Sequence, residues 1–275
     1  MAAVARIICI ANQKGGVGKT TTAVNLSAAL ALAGHPTLLV DLDPQGSASS
    51  GVGAEVGEDD ITLYEVLLAS ATIDAAVRPT KVQSLSVVPS SRDLTGAEIE
   101  LVPMLAREHR LSEALAAVRE LYEFIVIDCP PSLGLLTLNG LTAADTVLVP
   151  LQCEYYALEG LSALLETVEL IRRRLNGNLR IEGLLLTMFD SRNSLSHQVA
   201  DEVRKHFPND ILNTVVPRNV RLSEAPSHGL PAVIYDPASR GAQAYQALAQ
   251  ELLARGENPR AHPERDGRAG GAGGG

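Results

Sequence analysis

The chain has 275 residues, 46% hydrophobic and 20% charged, enough apolar material for a sizeable core. Its net charge of −9 is uneven, with 17 acidic against 9 basic side chains in residues 1–150 and 15 against 14 in the rest, so net charge does not draw the whole molecule to a polyanion. Aromatics at 3% with no Trp exclude base stacking as the main hold on nucleic acid; no apolar run is long enough to span a bilayer, and Cys9, Cys129 and Cys153 match no zinc or disulfide framework.

The first predicted strand is Ile7–Ala11. It is short and gives way at once to Asn12-Gln13-Lys14, so it reads as a strand and not as a signal peptide. Next comes Lys14-Gly15-Gly16-Val17-Gly18-Lys19-Thr20-Thr21, which opens a helix over Lys19–Ala33. Glycines let the backbone turn tightly and aim its N–H groups at phosphate oxygens, and the helix adds its positive end. Lys19 is placed to reach the β- and γ-phosphates, and the Thr20 hydroxyl to ligate Mg²⁺. One departure from the standard phosphate loop stands out. Gln13 occupies a position where glycine is usual, and a second lysine, Lys14, opens the loop.

The strand Thr37–Asp41 leads to Asp43. Side chains two apart on a strand face the same side, and two carboxylates beside a triphosphate repel it unless metal or water lies between. A helix over Leu63–Leu68, a strand over Leu85–Pro89 and a helix over Arg110–Leu121 follow. The apolar strand Phe124–Asp128 then ends in an acid where a Mg²⁺-holding carboxylate sits. Pro130-Pro131 argue against a simple helix cap at Asp128. Cys9 and Cys129 lie in apolar runs and read as buried thiols, consistent with a reducing, cytoplasmic compartment.

Helix Leu135–Ala143, strand Thr146–Leu151, helix Leu158–Leu175, strand Ile181–Met188, helix Ser196–His206 and strand Ile211–Val216 complete the alternation. Arg172-Arg173-Arg174 reads as a solvated helix end. Pro217-Arg218-Asn219 follows the last strand, and an Asn amide can both donate to and accept from an adenine edge. Arg192, Arg221 and Arg240 read as loop residues between late elements. A final helix spans Gly241–Arg255. From Gly256 the chain is Pro, Gly and charge, which reads as a flexible tail. The expected organisation is one domain over 1–255 and a tail over 256–275. Strand–helix alternation with doubly apolar strands predicts a doubly wound, mostly parallel α/β sheet with helices on both faces. Ligands in such sheets bind at the carboxyl ends of the strands, where the loop, Asp41, Asp43 and Asp128 all fall.

Lys-Gly-Gly-Val-Gly-Lys-Thr-Thr resembles the deviant Walker A motif of the ParA/MinD ATPase family. Val40-Asp41-Leu42-Asp43-Pro44-Gln45-Gly46, Ile127-Asp128-Cys129-Pro130-Pro131-Ser132 and Val216-Pro217-Arg218-Asn219 resemble its chromosomal ParA (Soj) branch. The resemblance covers roughly residues 5–255. It implies slow, Mg²⁺-dependent ATP hydrolysis in an ATP-sandwich homodimer, with Lys14 reaching across to the partner's nucleotide. It implies that Asp43 orients the attacking water, that Asp41 lies nearer the metal, and that Pro217, Arg218 and Asn219 line the adenine pocket. Arginines at positions 192 and 221 contribute in the family to non-specific DNA binding by the dimer, and Arg240 is a further candidate. The implied partner is ParB, a centromere-binding protein that stimulates hydrolysis and release, and the implied location is the nucleoid. Alternatives are a cargo-positioning ATPase of the same family and a MinD-like membrane-cycling ATPase, the latter disfavoured by a tail without an amphipathic helix. A nitrogenase-like iron–sulfur reductase is disfavoured because Cys129 and Cys153 do not match that family's ligand positions.

Overall fold

The computed structural model describes residues 4–154 and 157–257. Its strands are β1 (Arg6–Ile10), β2 (Thr37–Asp41), β3 (Arg78–Pro79), β4 (Leu85–Val88), β5 (Phe124–Asp128), β6 (Thr146–Gln152), β7 (Arg180–Phe189) and β8 (Ile211–Pro217). They form one sheet in the order β3-β4-β2-β5-β1-β6-β7-β8. Every pairing is parallel except that of β3 with β4. β2 and β5 are buried at all five residues, as strands covered on both faces must be.

Twelve α-helices lie among the described residues. The longer ones are α1 (Lys19–Leu32), α7 (Leu135–Ala143), α8 (Ala157–Arg174), α9 (Ser194–His206) and α12 (Arg240–Glu257). The short ones are α2 (Ser47–Gly51), α3 (Leu63–Leu67), α4 (Ile73–Ala76), α5 (Leu94–Glu100), α6 (Arg110–Ala116), α10 (Arg221–Glu224) and α11 (Ala232–Tyr235), with one 3₁₀ turn over Ala225–His228. Two cores flank the sheet. Ile8, Ile10, Leu39, Val126 and Leu148 point to the side of α1 and α12, whereas Ile7, Cys9, Val40, Ile127 and Val149 point to the side of α3, α6, α7 and α9. This is the period-two alternation of a strand read twice, once on each face. α1 buries eleven of its fourteen residues between the sheet and α12, which is why its sequence is Ala- and Leu-rich almost all round. The Thr22 hydroxyl and the Tyr245 hydroxyl, 3.1 Å apart, join α1 to α12 inside that layer.

The doubly wound sheet agrees with the sequence reading, and several boundaries do not. α6 stops at Ala116 and not at Leu121. The chain beyond it tightens into successive i→i−3 bonds, and Arg119 leaves the helix direction to bind Ala5 O and the Asp145 carboxylate. α2, α4, α5, α10 and α11 and the two-residue β3 were not anticipated. α12 continues through Gly256 and Glu257, two residues into the expected tail; positions 258–275 of that tail lie outside the described residues. Arg221 and Arg240 were expected in loops, but each is the first residue of a helix, α10 and α12.

At the amino ends of the strands, Glu182 is fully buried on β7. It takes both carboxylate contacts from Arg6 of β1 and a bond from the Thr146 hydroxyl of β6 at 2.7 Å. Arg6 also binds Leu252 O at 3.1 Å, so one ion pair ties three strands to α12. Glu182→Gln should lower unfolding free energy by about 3 kcal/mol, because it leaves the Arg6 charge uncompensated. Urea unfolding measures this, and a loss below about 1 kcal/mol would show the pair to be no stronger than a surface one.

Candidate functional site

β1 ends at Ile10 between β5 and β6, and the chain then enters the glycine-rich loop. Gly16 (φ +73°) and Gly18 (φ +89°) adopt the left-handed conformation, which glycine takes without steric cost. Four hydrogen bonds fix the loop, one of them from within it. Asn12, nearly buried, donates through Nδ2 to Pro150 O at 2.7 Å and accepts from Lys14 N at 2.9 Å. The Thr187 hydroxyl of β7 donates to Val17 O at 2.8 Å. Lys19 Nζ, buried, donates back to Lys14 O at 3.0 Å. Burial lowers the Lys19 pKa, against the opposing pull of Asp128, Cys129 and Asp43.

Asp128 and Asp41 are direct register partners on β5 and β2, and both are fully buried. They are held very differently. The Asp41 carboxylate accepts from Ser49 N and Ser49 Oγ, both at 2.7 Å, and from Asp43 N at 3.2 Å. Ser49 Oγ in turn accepts from Ser90 N, so the ends of β2, α2 and β4 are knitted together. Neither Asp128 oxygen accepts a hydrogen bond of ordinary geometry, although the Thr20 hydroxyl lies beside it and favours its ionised form. Burial, then the neighbouring Asp41 charge, push Asp128 well above the usual carboxylate range. Burial, outweighing the bonds from Ser49 and Asp43 N, raises Asp41 to about 6. A buried carboxylate with two uncommitted oxygens beside a threonine hydroxyl fits Mg²⁺, which takes few protein ligands and fills its shell with water and phosphate oxygens. The described residues hold no cluster of three or more His, Cys, Asp or Glu that could hold a metal ion. Of the expected metal-side residues, Thr20 and Asp128 face one another with free valences, while Asp41 spends its lone pairs on the protein.

Asp43 is half-buried and accepts from Gln45 N at 3.0 Å through one oxygen. Lys14 lies at the rim, exposed, with Nζ 2.7 Å from Glu154 Oε2. Glu154 follows β6 and is braced by Gln152 Nε2. A cavity of about 240 Å³ flanks the loop, lined by Thr20, Thr21 and Asn25 of α1, Ser47 of α2, and Leu222 and Pro226.

Pro217 closes β8 opposite Phe189, Arg218 N donates to Phe189 O at 3.0 Å, and Asn219 Oδ1 accepts from Arg221 N at 3.0 Å. One lone pair of the Asn219 oxygen is therefore engaged at the start of α10. Arg192, 87% exposed, pairs with Asp190 at 3.0 Å and pulls that carboxyl down to about 2. Arg221 pairs with Glu224 at 2.7 Å and with Asp236 at 3.1 Å; Arg240 is exposed at the first position of α12. The first two arginines are thus not bare positive charges. Asn12, Ser49, Glu154 and Thr187 were missed from sequence. Glu154 alone carried a signal, an acid just past an apolar strand on the carboxyl edge.

The chain matches known proteins along nearly its whole length. A family model described as an AAA domain matches residues 5–181. The sporulation initiation inhibitor protein Soj of Bacillus subtilis (strain 168) is 57% identical over 91% of this chain and 99% of that protein. The chromosome partitioning protein ParA of Myxococcus xanthus (strain DK1622) is 57% identical over 92% of this chain and 90% of that protein. Among solved structures, cobyrinic acid a,c-diamide synthase from Mycobacterium smegmatis with bound ATP analog and magnesium superposes with a TM-score of 0.83. It is 38% identical and covers 94% of this chain and 99% of that chain.

The raised Asp41 pKa has a definite sign. A carboxyl held above its unfolded value contributes stability that is present below about pH 3.8 and is lost as pH rises through about 6. Asp41→Asn cannot ionise. Its unfolding free energy relative to the parent protein, without nucleotide, should therefore move in the variant's favour by about 2 kcal/mol between pH 4 and pH 7. A pH-independent difference would show that this carboxyl is not raised.

Proposed function

Because the chain belongs to the ParA/MinD family of P-loop ATPases, we propose that it is an ATP-dependent, dimerising switch ATPase of chromosome or plasmid partition. The observation that carries this reading is the separation of its two loop lysines. Lys19 is buried against the loop, whereas Lys14 is exposed at the rim and held outward by Glu154. A lysine so placed serves a second nucleotide facing the first, once the Glu154 pair opens. Supplying that cation from a partner neutralises charge that grows during phosphoryl transfer and makes hydrolysis wait for dimerisation.

The remaining roles follow from position. The N–H groups of Gly15, Gly16, Val17, Gly18, Lys19, Thr20 and Thr21 cradle the triphosphate of ATP. Thr20 and Asp128 hold Mg²⁺, which supplies charge neutralisation at the phosphates when bound. Asp41 acts behind them, shaping the turn that presents Asp43 and adding negative potential through Asp128. Asp43, with one oxygen uncommitted, orients the attacking water. Pro217, Arg218 and Asn219 receive adenine, with Asn219 donating to a ring nitrogen. Hydrolysis is slow because one carboxylate acts without help until Lys14 arrives from the partner.

The dimer binds DNA non-specifically through Arg192, Arg221 and Arg240, by phosphate contacts that carry no sequence information. Asp190, Glu224 and Asp236 hold the first two in check, so one copy alone is a weak binder and doubling the patch matters. A ParB-like centromere-binding protein stimulates hydrolysis and releases the dimer. The protein works in the cytoplasm on the nucleoid; no helix among the described residues is long and apolar enough to cross a membrane.

DNA binding by the purified protein with ATP, with ADP and without nucleotide, each at two salt concentrations, tests the reading. Binding should require ATP, ignore sequence and weaken steeply with salt, and Asp43→Ala should prolong the ATP-bound complex. Binding equal in all three nucleotide states, or binding to liposomes in place of DNA, would contradict it.

A further inference from the structure

β7 is irregular where it passes the nucleotide site. Against β8 the register shifts twice: two steps from Leu184 to Leu186 answer four from Ile211 to Val215, and then three steps from Leu186 to Phe189 answer two from Val215 to Pro217. The second shift places one extra residue on β7, and within it Met188 has φ +51°. That left-handed conformation is uncommon for any residue but glycine, and surroundings must hold it in place.

The bulge separates two directions. Leu184 and Leu186 point into one core and Leu185 into the other. Thr187 keeps to the side of Leu185, where its hydroxyl holds Val17 O of the phosphate loop at 2.8 Å. In an unbroken strand Phe189, two residues on, would share that side. It packs instead against the opposite core and meets His197 of α9 edge-on, with ring centroids 5.0 Å apart. Its carbonyl accepts from Arg218 N at 3.0 Å. Residues on either side of Met188 therefore hold the phosphate loop and the Pro217–Asn219 loop.

We propose that Met188 is a positioning residue for the nucleotide: its left-handed backbone sets the phosphate loop and the base loop in mutual register, so that one strand clamps both ends of ATP. The inference rests on the adenine assignment made under the proposed function. Met188 acts through the spacing between Thr187 and Phe189, which hold the two loops, and so governs how well a base is recognised once phosphates are seated.

The test compares Met188→Asn, which tolerates the left-handed region, with Met188→Val, whose branched Cβ opposes it. Affinities for ATP, GTP and inorganic tripolyphosphate are measured for each, with melting temperature as a check on folding. Met188→Val should lose about tenfold in ATP affinity, with a smaller loss for tripolyphosphate and a reduced preference for ATP over GTP. Met188→Asn should stay within about threefold for all three ligands. A purely structural role would lower the melting temperature and leave the ATP-to-GTP ratio unmoved, which would overturn the proposal, as would equal losses in both variants. If Met188→Val does not fold, Met188→Ala against Met188→Gly reads the same contrast. A parent protein that binds ATP and GTP alike would overturn the adenine assignment and this inference with it. Parental preference that survives Met188→Val overturns the inference alone.

Discussion

Two carboxylates are buried side by side at the carboxyl edge of the sheet, and only one of them is held by well-formed hydrogen bonds. The register of β2 against β5 sets Asp41 directly beside Asp128. Placing two such groups out of water is costly unless each is compensated. Asp41 is compensated by Ser49 and a backbone N–H, Asp128 only by the neighbouring Thr20 hydroxyl and the buried Lys19 ammonium. Much of the surrounding structure answers this arrangement. α2 exists where it does because Ser49 must reach Asp41. α1 begins where it does because Lys19 and Thr20 must face Asp128. The result is a site already organised for a cation and a polyanion together.

The loop that faces these carboxylates is held by distant parts of the chain. Thr187 reaches Val17 across 170 residues of sequence and Asn12 reaches Pro150 across 138. The Lys14 side chain lies at the rim with a surface partner, and exposed pairs of this kind are weak and easily exchanged. Rigidity in the cradle and freedom at its edge suit the proposed switch, in which hydrolysis waits for a second subunit.

Most of the fold was legible in the sequence, for a physical reason. Parallel strands covered on both faces must be apolar throughout, so β1, β2, β5 and β6 announce themselves, and the glycine loop between β1 and α1 marks the site. What was illegible was short or non-local. α2 is Ser-Ala-Ser-Ser-Gly, a poor helix by propensity, folded by its bond to Asp41. α6 lost its last turn to the pull of Asp145 on Arg119. Asn12 and Thr187 act through partners far along the chain, which no local pattern encodes. The acid partners of Arg192 and Arg221 were equally hidden, although two of them lie within three residues. The candidate phosphate-site residues do converge, whereas the candidate DNA arginines lie singly at the ends of later elements.

If each phosphate site is completed by a lysine from a second subunit, mixing subunits shows it most directly. Lys14→Ala subunits keep their own Asp43, and Asp43→Ala subunits keep their own Lys14. Each variant alone should be inactive in ATP hydrolysis. Mixed in the presence of ATP, they should recover a measurable share of turnover, because the Lys14→Ala site borrows Lys14 from its neighbour while using its own Asp43. If the mixture stays as inactive as either variant alone, or if Lys14→Ala hydrolyses ATP normally by itself, the lysine does not act across a dimer.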